Sequence, residues 1–347
     1  MRSFVPLEPP VDPVVALTRT AWLLERARES TYRVEAFRTA ARAAADVGDG
    51  DLRRRSRDGT LTGIRGIGKT TAAVISDAVE GRLPGYLEDL QQHDDPFVDG
   101  GDEIRRALRG DLHAHTDWSD GGARIDEMAA AATALGHEWL AITDHSPRLT
   151  VANGLSVDRL DRQIREIERY NTSSEGMVRV LTGIEVDILD DGELDQTDDM
   201  LSRLDVVTAS VHSKLRMDAV AMTRRMVAAV SDPRVDVLGN CTGRRVVTGR
   251  GARPPSTFDA RTVFEACADH GTAVEINSRP ERVDPPDELI GLARDLGCLF
   301  AIDSDAHAPG QLSFPALGAR RAEQFGVEPE RIVTTWSLKR LLEWTSA

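Results

Sequence analysis

The sequence is poor in cysteine, lysine and aromatic residues, and it has no long apolar run. Its three cysteines, Cys241, Cys267 and Cys298, are widely spaced and form no C-x-x-C pair, which argues against a disulfide framework or a cysteine-based zinc site. No apolar segment approaches the roughly 20 residues needed to cross a bilayer, and the first residues include no apolar signal segment. We therefore expect a cytoplasmic protein with no membrane partner.

Negative charge is in excess, and it lies in the C-terminal part of the chain. The 347 residues carry a net charge of −14, whereas residues 1–92 hold 14 basic and 13 acidic side chains and are close to neutral. An acidic domain repels polyanions unless bound cations or a local basic patch intervene. Bound metal would offset part of this charge, and a solubilising acidic surface accounts for much of the rest.

Five of the eight histidines occur in short motifs that also contain carboxylates, and each motif follows a short apolar run. Imidazole and carboxylate groups at the carboxyl ends of parallel strands are the donors that a multi-metal hydrolytic site requires. The motifs are Asp-Leu-His-Ala-His-Thr-Asp-Trp-Ser-Asp-Gly at 111–121, Thr-Asp-His at 143–145, Gly-Ile-Glu at 183–185, Ser-Val-His-Ser at 210–213 and Asp-Ser-Asp-Ala-His at 303–307.

The apolar periodicity divides the chain into two parts joined by a polar linker. Residues 1–92 are predicted to form a small all-helical domain, residues 93–108 the linker, and residues 109–347 an α/β domain. Seven β/α repeats predict a distorted seven-stranded (β/α) barrel. The strands are expected to end at His113, Thr143, Glu185, His212, Asn240, Ile276 and Ile302, with helices at 125–135, 157–170, 218–230, 258–270 and 286–296.

The positions of the histidines and acids indicate metal binding. His113 and His115 are two residues apart, so on a strand their side chains share one face, and a loop can fold Asp120 back towards them. Any one of these residues alone is more often a hydrogen-bonded core or turn residue. Their number at the ends of different strands of one barrel favours a site for divalent Mn, Zn or Fe.

From residue 109 onwards, the ordered set of motifs resembles the PHP (polymerase and histidinol phosphatase) family, especially the C-terminal PHP domain of bacterial family X DNA polymerases. The resemblance implies a seven-stranded barrel and a site for up to three metal ions. By that pattern, the first ion would bind His113, His115, Glu185 and Asp305. The second would bind Asp120, His145 and His307, and the third would bind Glu185, His212 and the residue at position 240.

Position 240 departs from the family pattern. The usual motif is Gly-His-Pro-Thr-Gly-Arg, whereas residues 239–244 read Gly-Asn-Cys-Thr-Gly-Arg, so Asn240 replaces a histidine. A carboxamide oxygen can coordinate a metal, but it is a harder and weaker donor than imidazole. Three readings stay open: a loosely bound third ion, a centre with only two ions, or a substitution introduced deliberately. We therefore expect two or three divalent ions per chain.

Other polar residues near the predicted strand ends are candidates for a catalytic role. Asp144 could orient an imidazole or act as a base, or it could simply accept backbone hydrogen bonds at a strand end. Lys214, Arg244 and Arg279 could bind phosphate oxygens, although each alone is more often a solvated surface charge; Arg279 is the preferred candidate. The predicted reaction is metal-dependent hydrolysis of a phosphoester at the mouth of the barrel.

The segment 63–69, Gly-Ile-Arg-Gly-Ile-Gly-Lys, resembles a helix-hairpin-helix motif. Gly66 and Gly68 allow close approach of the backbone, and the amides at the start of the following helix, with Lys69 and Thr70, could bind a DNA phosphate. The spacing also fits a P-loop, but no strand precedes it, which disfavours nucleotide binding. Four arginines at 53–55 and 57 could follow a phosphate backbone or belong to a solvated helix face.

Residues 12–92 as a whole look like the N-terminal helical domain of family X polymerases. Between Leu90 and Arg109 there is no room for a polymerase palm, so we expect no polymerase activity. The Schiff-base lysine of lyase-competent relatives has no equivalent in this chain, since its position falls near Val74, which argues against lyase activity by that route.

Three functional hypotheses remain. The first is a metal-dependent phosphoesterase that acts on DNA in repair or processing, as a 3′-5′ exonuclease, a 3′-phosphatase or an abasic-site endonuclease. The second is a small-molecule phosphatase similar to histidinol phosphatase. The third is a non-catalytic DNA-binding scaffold, which the substitution at Asn240 makes conceivable, although the other ligand positions argue against it.

Overall fold

A computed structural model describes residues 5–93, 99–174, 177–247 and 251–346 of the chain. The chain divides into two compact units between Pro96 and Phe97. In the described residues, none of the helices combines the length and the apolar character that a bilayer span requires.

The N-terminal unit is all-helical, as predicted. Its first helix begins after Asp12, whose carboxylate accepts hydrogen bonds from the N–H groups of Val14 and Val15, and proline occupies the first helical position. Apolar residues such as Trp22 and Phe37 form a separate buried core. The helices are α1 (Pro13–Arg26), α2 (Thr31–Val47), α3 (Asp49–Arg57), α4 (Lys69–Val79) and α5 (Gly85–Gln92).

The second unit contains seven parallel strands in the order in which they occur in the chain, which confirms the predicted (β/α) barrel. The strands are β1 (Gly110–Asp111), β2 (Trp139–Ile142), β3 (Arg179–Asp187), β4 (Val206–Ser210), β5 (Val237–Leu238), β6 (Ala273–Asn277) and β7 (Phe300–Asp303). The helices are α6 (Asp102–Ala107), α7 (Ile125–Ala134), α8 (Val157–Ser173), α9 (Asp198–Leu201), α10 (Ala219–Val230), α11 (Ala260–His270), α12 (Asp287–Asp295), α13 (Pro315–Gln324) and α14 (Leu338–Thr345).

The barrel closes just beyond the ends of its first and last strands. Ala114, which follows β1, forms a parallel bridge with Ala306, which follows β7. The N–H of His115 donates to the carbonyl of Ala306 at 2.7 Å, and the N–H of Ala306 donates to the carbonyl of His113 at 3.3 Å. Closure therefore brings the first and last histidine motifs side by side.

The interior of the barrel has an apolar layer and a polar layer, because alternate residues of each strand point inwards. At the amino ends of the strands, side chains from all seven strand segments form one buried cluster with Trp336 and Leu341 from the end of the chain. Further along the strands, the inward positions are polar and almost fully buried: Thr208, Ser210, Glu185, Asp187, Glu275, Asn277 and Asp303. The polar layer leads to the carboxyl ends of the strands.

The segment 93–108, predicted as a linker, includes the short helix α6. Buried Ile104 joins the apolar core that surrounds the barrel strands. The N–H of Gly101 donates to the carboxylate of Glu323 on α13 at 2.7 Å. Because this segment is rich in turn-forming residues, its sequence did not predict a helix. Contacts with α13, more than 200 residues further along the chain, hold the helix in place.

Candidate functional sites

The nine predicted metal-ligand positions lie at the carboxyl ends of the barrel strands or in the loops that follow them. Eight of the nine are brought together as ionisable side chains, and Asn240 lies among them. Three groups have ligand atoms within 4.8 Å of one another: His115 with Asp120, His145 and His307; His113 with His115 and Glu185; and His145 with Glu185 and His212.

Glu185 lies at the centre of these groups. Its Oε1 is 3.3 Å from Nε2 of His113 and 3.2 Å from Nε2 of His212, and its Oε2 is 2.9 Å from Nδ1 of His145. Burial by itself would raise the pKa of this carboxyl, but the imidazoles of His113, His212 and His145 hold it well below its usual range. A carboxylate with imidazoles around both oxygens can bridge two cations.

Asp120 forms the open side of the centre. Its Oδ1 lies 3.5 Å from Nε2 of both His145 and His307, and its side chain is 36% exposed. The ring centroid of His115 lies 4.4 Å from that of His145 and 4.2 Å from that of His307. The loop after β1 therefore folds back over the barrel mouth, as the sequence predicted.

Asp305 completes the first predicted ligand set from the opposite side of the barrel closure. Its Oδ1 is 3.5 Å from Nε2 of His115, and its side chain is 2% exposed. Its backbone adopts a left-handed conformation with φ of +51°, which Asp tolerates better than most residues. This turn directs the carboxylate towards the centre rather than along the strand.

The side chains present fit divalent metal ions. Among the described residues, both ring nitrogens of His115 and Nε2 of His113 and His212 are buried without a hydrogen-bond partner. Burial, with the nearby charges of His307 and His145, lowers the pKa of His115 to about 3, so its imidazole is neutral at pH 7 as a ligand must be. Unpaired imidazole nitrogens around buried carboxylates match the donor preference of Mn, Zn and Fe.

Glu275 also belongs to the centre, although the sequence did not predict it. Its Oε1 lies 2.6 Å from Nδ1 of His113, and its Oε2 accepts from the N–H of Asn240 at 2.6 Å. Burial opposes protonation of His113, but Glu185 and Glu275 raise the pKa of its imidazole well above the usual value. The signal was a carboxylate at an inward position of the apolar strand β6. Such a partner orients a ligating imidazole and increases its basicity.

Two further residues near the centre were also missed. Asp187, at the end of β3, accepts from the N–H of His212 at 3.0 Å and lies 3.6 Å from its Nδ1. Arg282 places Nε 3.4 Å from Oδ2 of Asp305. Neither stands in a histidine motif, so only the fold brings them to the site.

Asp144 is fully buried below the centre. It accepts hydrogen bonds from the N–H of Thr116 at 2.8 Å, the Thr116 hydroxyl at 2.5 Å, the Gln163 amide at 2.5 Å and the Ser119 hydroxyl. Burial raises the pKa of this carboxyl. Its oxygens thus hold the loop that carries Asp120, which favours a positioning role over direct proton transfer.

Arg279 is the predicted phosphate-binding residue that reaches the centre. Its Nη1 donates to the carbonyl of Asp305 at 2.7 Å and lies 2.8 Å from Nδ1 of His307. The side chain is 23% exposed, so it borders both the ligands and solvent. A guanidinium in this position can contact a phosphate oxygen at the barrel mouth.

Arg244 and Lys214 are engaged elsewhere. Nε of Arg244 donates to the carbonyl of Val283 at 2.9 Å, so the guanidinium holds a neighbouring loop. Lys214 forms an ion pair with Asp190 and is 64% exposed. The arrangement gives neither side chain a contact with the predicted ligands.

In the helical unit, the residues predicted to contact DNA lie on the exposed turn that leads into α4. Gly66 has φ of +92°, and an added Cβ would lie 2.8 Å from Cγ2 of Thr39, so this position requires glycine. Gly68 precedes α4, and Lys69 and Thr70 are its first two residues; all three are exposed. The first amides of a helix have no acceptor within the helix and can bind an anion.

Three of the four arginines in the cluster on α3 form ion pairs with two aspartates of the same helix. Arg53 lies 3.4 Å from Asp49, Arg55 lies 2.9 Å from Asp51, and Arg54 also pairs with Asp51. These are pairs one helical turn apart on an exposed surface. They favour the interpretation of this cluster as a solvated helix face.

Comparison with known proteins identifies the barrel. A family model described as "PHP domain" matches residues 111–291. The chain belongs to the PHP family. This confirms the resemblance predicted from the histidine and carboxylate motifs, and it confirms that the chain is a metal-dependent phosphoesterase.

Relatives of two kinds are similar to the chain. "DNA polymerase/3'-5' exonuclease PolX" of Bacillus subtilis (strain 168) is 37% identical over 258 residues, which cover 74% of this chain and 44% of that protein. The chain thus spans less than half the length of this relative. A protein named probable phosphatase from Vibrio parahaemolyticus is 29% identical over 251 residues, which cover 67% of this chain and 92% of that protein.

Among solved structures, histidinol phosphate phosphatase of Lactococcus lactis, crystallised with zinc, L-histidinol and phosphate, is 17% identical to the chain. The match has a TM-score of 0.44 and covers 63% of this chain and 92% of that one.

Proposed function

We propose that this PHP-family chain is a DNA-directed phosphoesterase of the 3′-5′ exonuclease, 3′-phosphatase or abasic-site endonuclease type. In this proposal, the helical unit binds the DNA backbone and the barrel hydrolyses the phosphoester, without polymerase activity. The observation that carries it is the presence, in one chain, of an exposed glycine hairpin leading into α4 and a histidine–carboxylate centre.

The hairpin supports a backbone contact rather than base recognition. Gly66 and Gly68 remove side chains from the turn, while Lys69 adds a positive charge beside the first amides of α4. Together these groups match the shape and charge of one phosphate, whatever the base sequence. The similarity to a relative named as a DNA polymerase and 3'-5' exonuclease agrees with a DNA substrate.

The residues of the barrel support phosphoester chemistry. The predicted ligands would hold divalent ions, Mn, Zn or Fe, which supply an activated water and neutralise charge on the phosphoryl group. Arg279 would bind a phosphate oxygen from the solvent side of Asp305 and His307. Asp144 would keep Asp120 in place through its hydrogen bonds to Thr116.

The decisive assay compares substrates with manganese present: single-stranded DNA, 3′-phosphorylated DNA, abasic duplex and histidinol phosphate. The chain should hydrolyse at least one DNA substrate. Lys69→Ala should reduce the rate on DNA by about 3- to 10-fold through a higher KM, because one phosphate contact is lost. Hydrolysis of bis-p-nitrophenyl phosphate, which has no DNA backbone for the hairpin to bind, should be unchanged.

Lys339→Ala provides a matched control, since Lys339 is an exposed lysine of the barrel unit. It should leave the rates on all substrates unchanged. An equal loss on DNA and on the chromogenic ester in Lys69→Ala would contradict the proposed division of labour. DNA binding without hydrolysis of any substrate would favour the scaffold hypothesis.

A small-molecule phosphatase is the second candidate, and the lengths of the relatives favour it. Relatives named as probable phosphatases are covered over 92% and 89% of their own length by about two thirds of this chain, so they are little more than the matched region. A chain that hydrolyses histidinol phosphate far faster than every DNA substrate would establish this alternative.

A further inference from the structure

Asn240 occupies the place where the family pattern has a metal-binding histidine. It follows β5 with a left-handed φ of +45°, and it is 2% exposed. Its side chain lies between Glu185 of the centre and Asn277 at the end of β6. The question is whether the amide turns its oxygen or its nitrogen towards Glu185.

The orientation is fixed by a chain of hydrogen bonds that starts at a main-chain donor. The N–H of Arg279 can only donate, and it donates to Oδ1 of Asn277 at 2.9 Å. Nδ2 of Asn277 therefore points the other way, where it donates to Oδ1 of Asn240 at 3.0 Å and to Oδ2 of Asp305 at 3.1 Å. Consequently, Nδ2 of Asn240 donates to Oε1 of Glu185 at 3.0 Å.

The opposite orientation is disfavoured at both ends of the Asn240 amide. It would place two NH₂ groups against each other at Asn277, and it would direct the amide oxygen at the carboxylate of Glu185. In a fully buried site, each of these contacts leaves a polar group unpaired or repelled, so a flipped amide is not a low-energy alternative.

In the family pattern, the third ion would bind beside Glu185 and position 240, where the Asn240 amide makes its hydrogen bond. Oε1 of Glu185 lies 3.2 Å from Nε2 of His212, and both groups belong to the third predicted ligand set. Asn240 presents N–H bonds there instead of a lone pair, and an amide nitrogen that donates cannot coordinate a cation. The first two predicted ligand sets are therefore complete, whereas the third lacks its ligand at position 240 and meets a hydrogen-bond donor there.

We infer that the centre of this chain holds two divalent ions, and that the Asn240 amide replaces the third as a hydrogen-bond donor to Glu185. The inference rests on the metal-dependent part of the proposed function but not on the DNA substrate. His145, Glu185 and His212 still lie close enough to share an ion. That ion would compete with Asn240 for Oε1 of Glu185.

The test counts ions in the chain of 347 residues, with both units present, after chelation and titration with Mn²⁺. Bound manganese is measured by mass spectrometry, and the positions are located by anomalous scattering from crystals. The wild type should hold two ions. Asn240→His and Asn240→Asp should each gain a third beside His212, because both supply a lone pair and both residues tolerate a left-handed backbone.

Asn240→Gly is the matched control, since it suits the same backbone and removes the donor without adding a ligand. It should stay at two ions. A wild type that binds a third ion as tightly as Asn240→His would overturn the inference, and so would an Asn240→His variant that stays at two. A wild type with no ion at all would overturn the metal centre as well, which distinguishes the two failures.

Discussion

The helical unit and the barrel differ in how many charged side chains they bury and in how those side chains are arranged. The core of the helical unit is apolar, and its buried Arg38 and Glu25 form an ion pair in which Nε of Arg38 donates to Oε1 of Glu25 at 2.5 Å. In the barrel, by contrast, Glu185, Asp305 and Glu275 lie in a fully buried layer and face several imidazoles. The same chain thus contains a unit built for packing and a unit that gathers charge around one point.

This difference distinguishes residues that stabilise the fold from residues that serve the metal centre at a cost in stability. Burying a charge is costly unless it is paired, so a fold that concentrates carboxylates and imidazoles gives up stability for chemistry. The helical unit has no such concentration among its described residues, and its candidate site consists of exposed backbone at a turn. Substitutions should therefore affect metal chemistry in the barrel and folding or DNA affinity in the helical unit.

The largest effect is expected from Glu185→Gln. Removing the charge between His113, His145 and His212 should abolish tight binding of metal and lower kcat/KM by about 10³-fold or more. Metal content and hydrolysis of a chromogenic ester measure this directly. DNA affinity should be unchanged in a binding assay, since the substitution leaves the helical unit intact. A variant that keeps its full metal content would refute the central role of this carboxylate.

A smaller effect is expected from Glu275→Gln. The glutamine has a single oxygen, so it can accept from His113 or from the N–H of Asn240 but not from both, and it lacks the charge that makes His113 a stronger donor to metal. Affinity for Mn²⁺, measured by calorimetry, should fall by about 10- to 100-fold. Glu265→Gln, the same change at an exposed position of α11, should leave affinity unaltered.

The smallest effect is expected in the helical unit. Gly66→Ala places a Cβ against Thr39 and imposes a left-handed conformation on alanine, which should destabilise this unit by about 1–2 kcal/mol in denaturant unfolding. The control is Gly63→Ala in the same hairpin, where nothing lies within 4 Å of an added Cβ. Loss of barrel metal in Gly66→Ala, or equal destabilisation by both variants, would break the contrast between the units.

Periodicity predicted most of the elements in the barrel. The helices expected at 218–230 and 258–270 are α10 (Ala219–Val230) and α11 (Ala260–His270), and each strand ends within two residues of its predicted end. These elements are amphipathic or short and apolar, so local pattern alone reveals them. Helices α6, α9, α13 and α14 were not predicted; the position of α6 depends on its contacts with α13 rather than on its own sequence.

The residues of the candidate site also fall into two classes: those that local sequence predicts and those that only the fold brings together. Histidines in short motifs at strand ends could be predicted as ligands before the fold was known, since parallel strands present their carboxyl ends at one rim. Glu275 and Arg282 stand outside those motifs, and only closure of the barrel brings them against His113 and Asp305. Likewise, the sequence left three readings open for Asn240, and the hydrogen bond from Arg279 to Asn277 decides which way its amide faces.

By itself, then, the sequence determined the seven strands and most of the helices between them, the donor types of the metal centre and the exposed hairpin, because all three depend on residues close together in the chain. The tertiary structure alone decided which oxygen of Glu185 faces which imidazole and what Asn240 offers to it. Those relations join residues from different strands, and their geometry is set by the closure and register of the barrel.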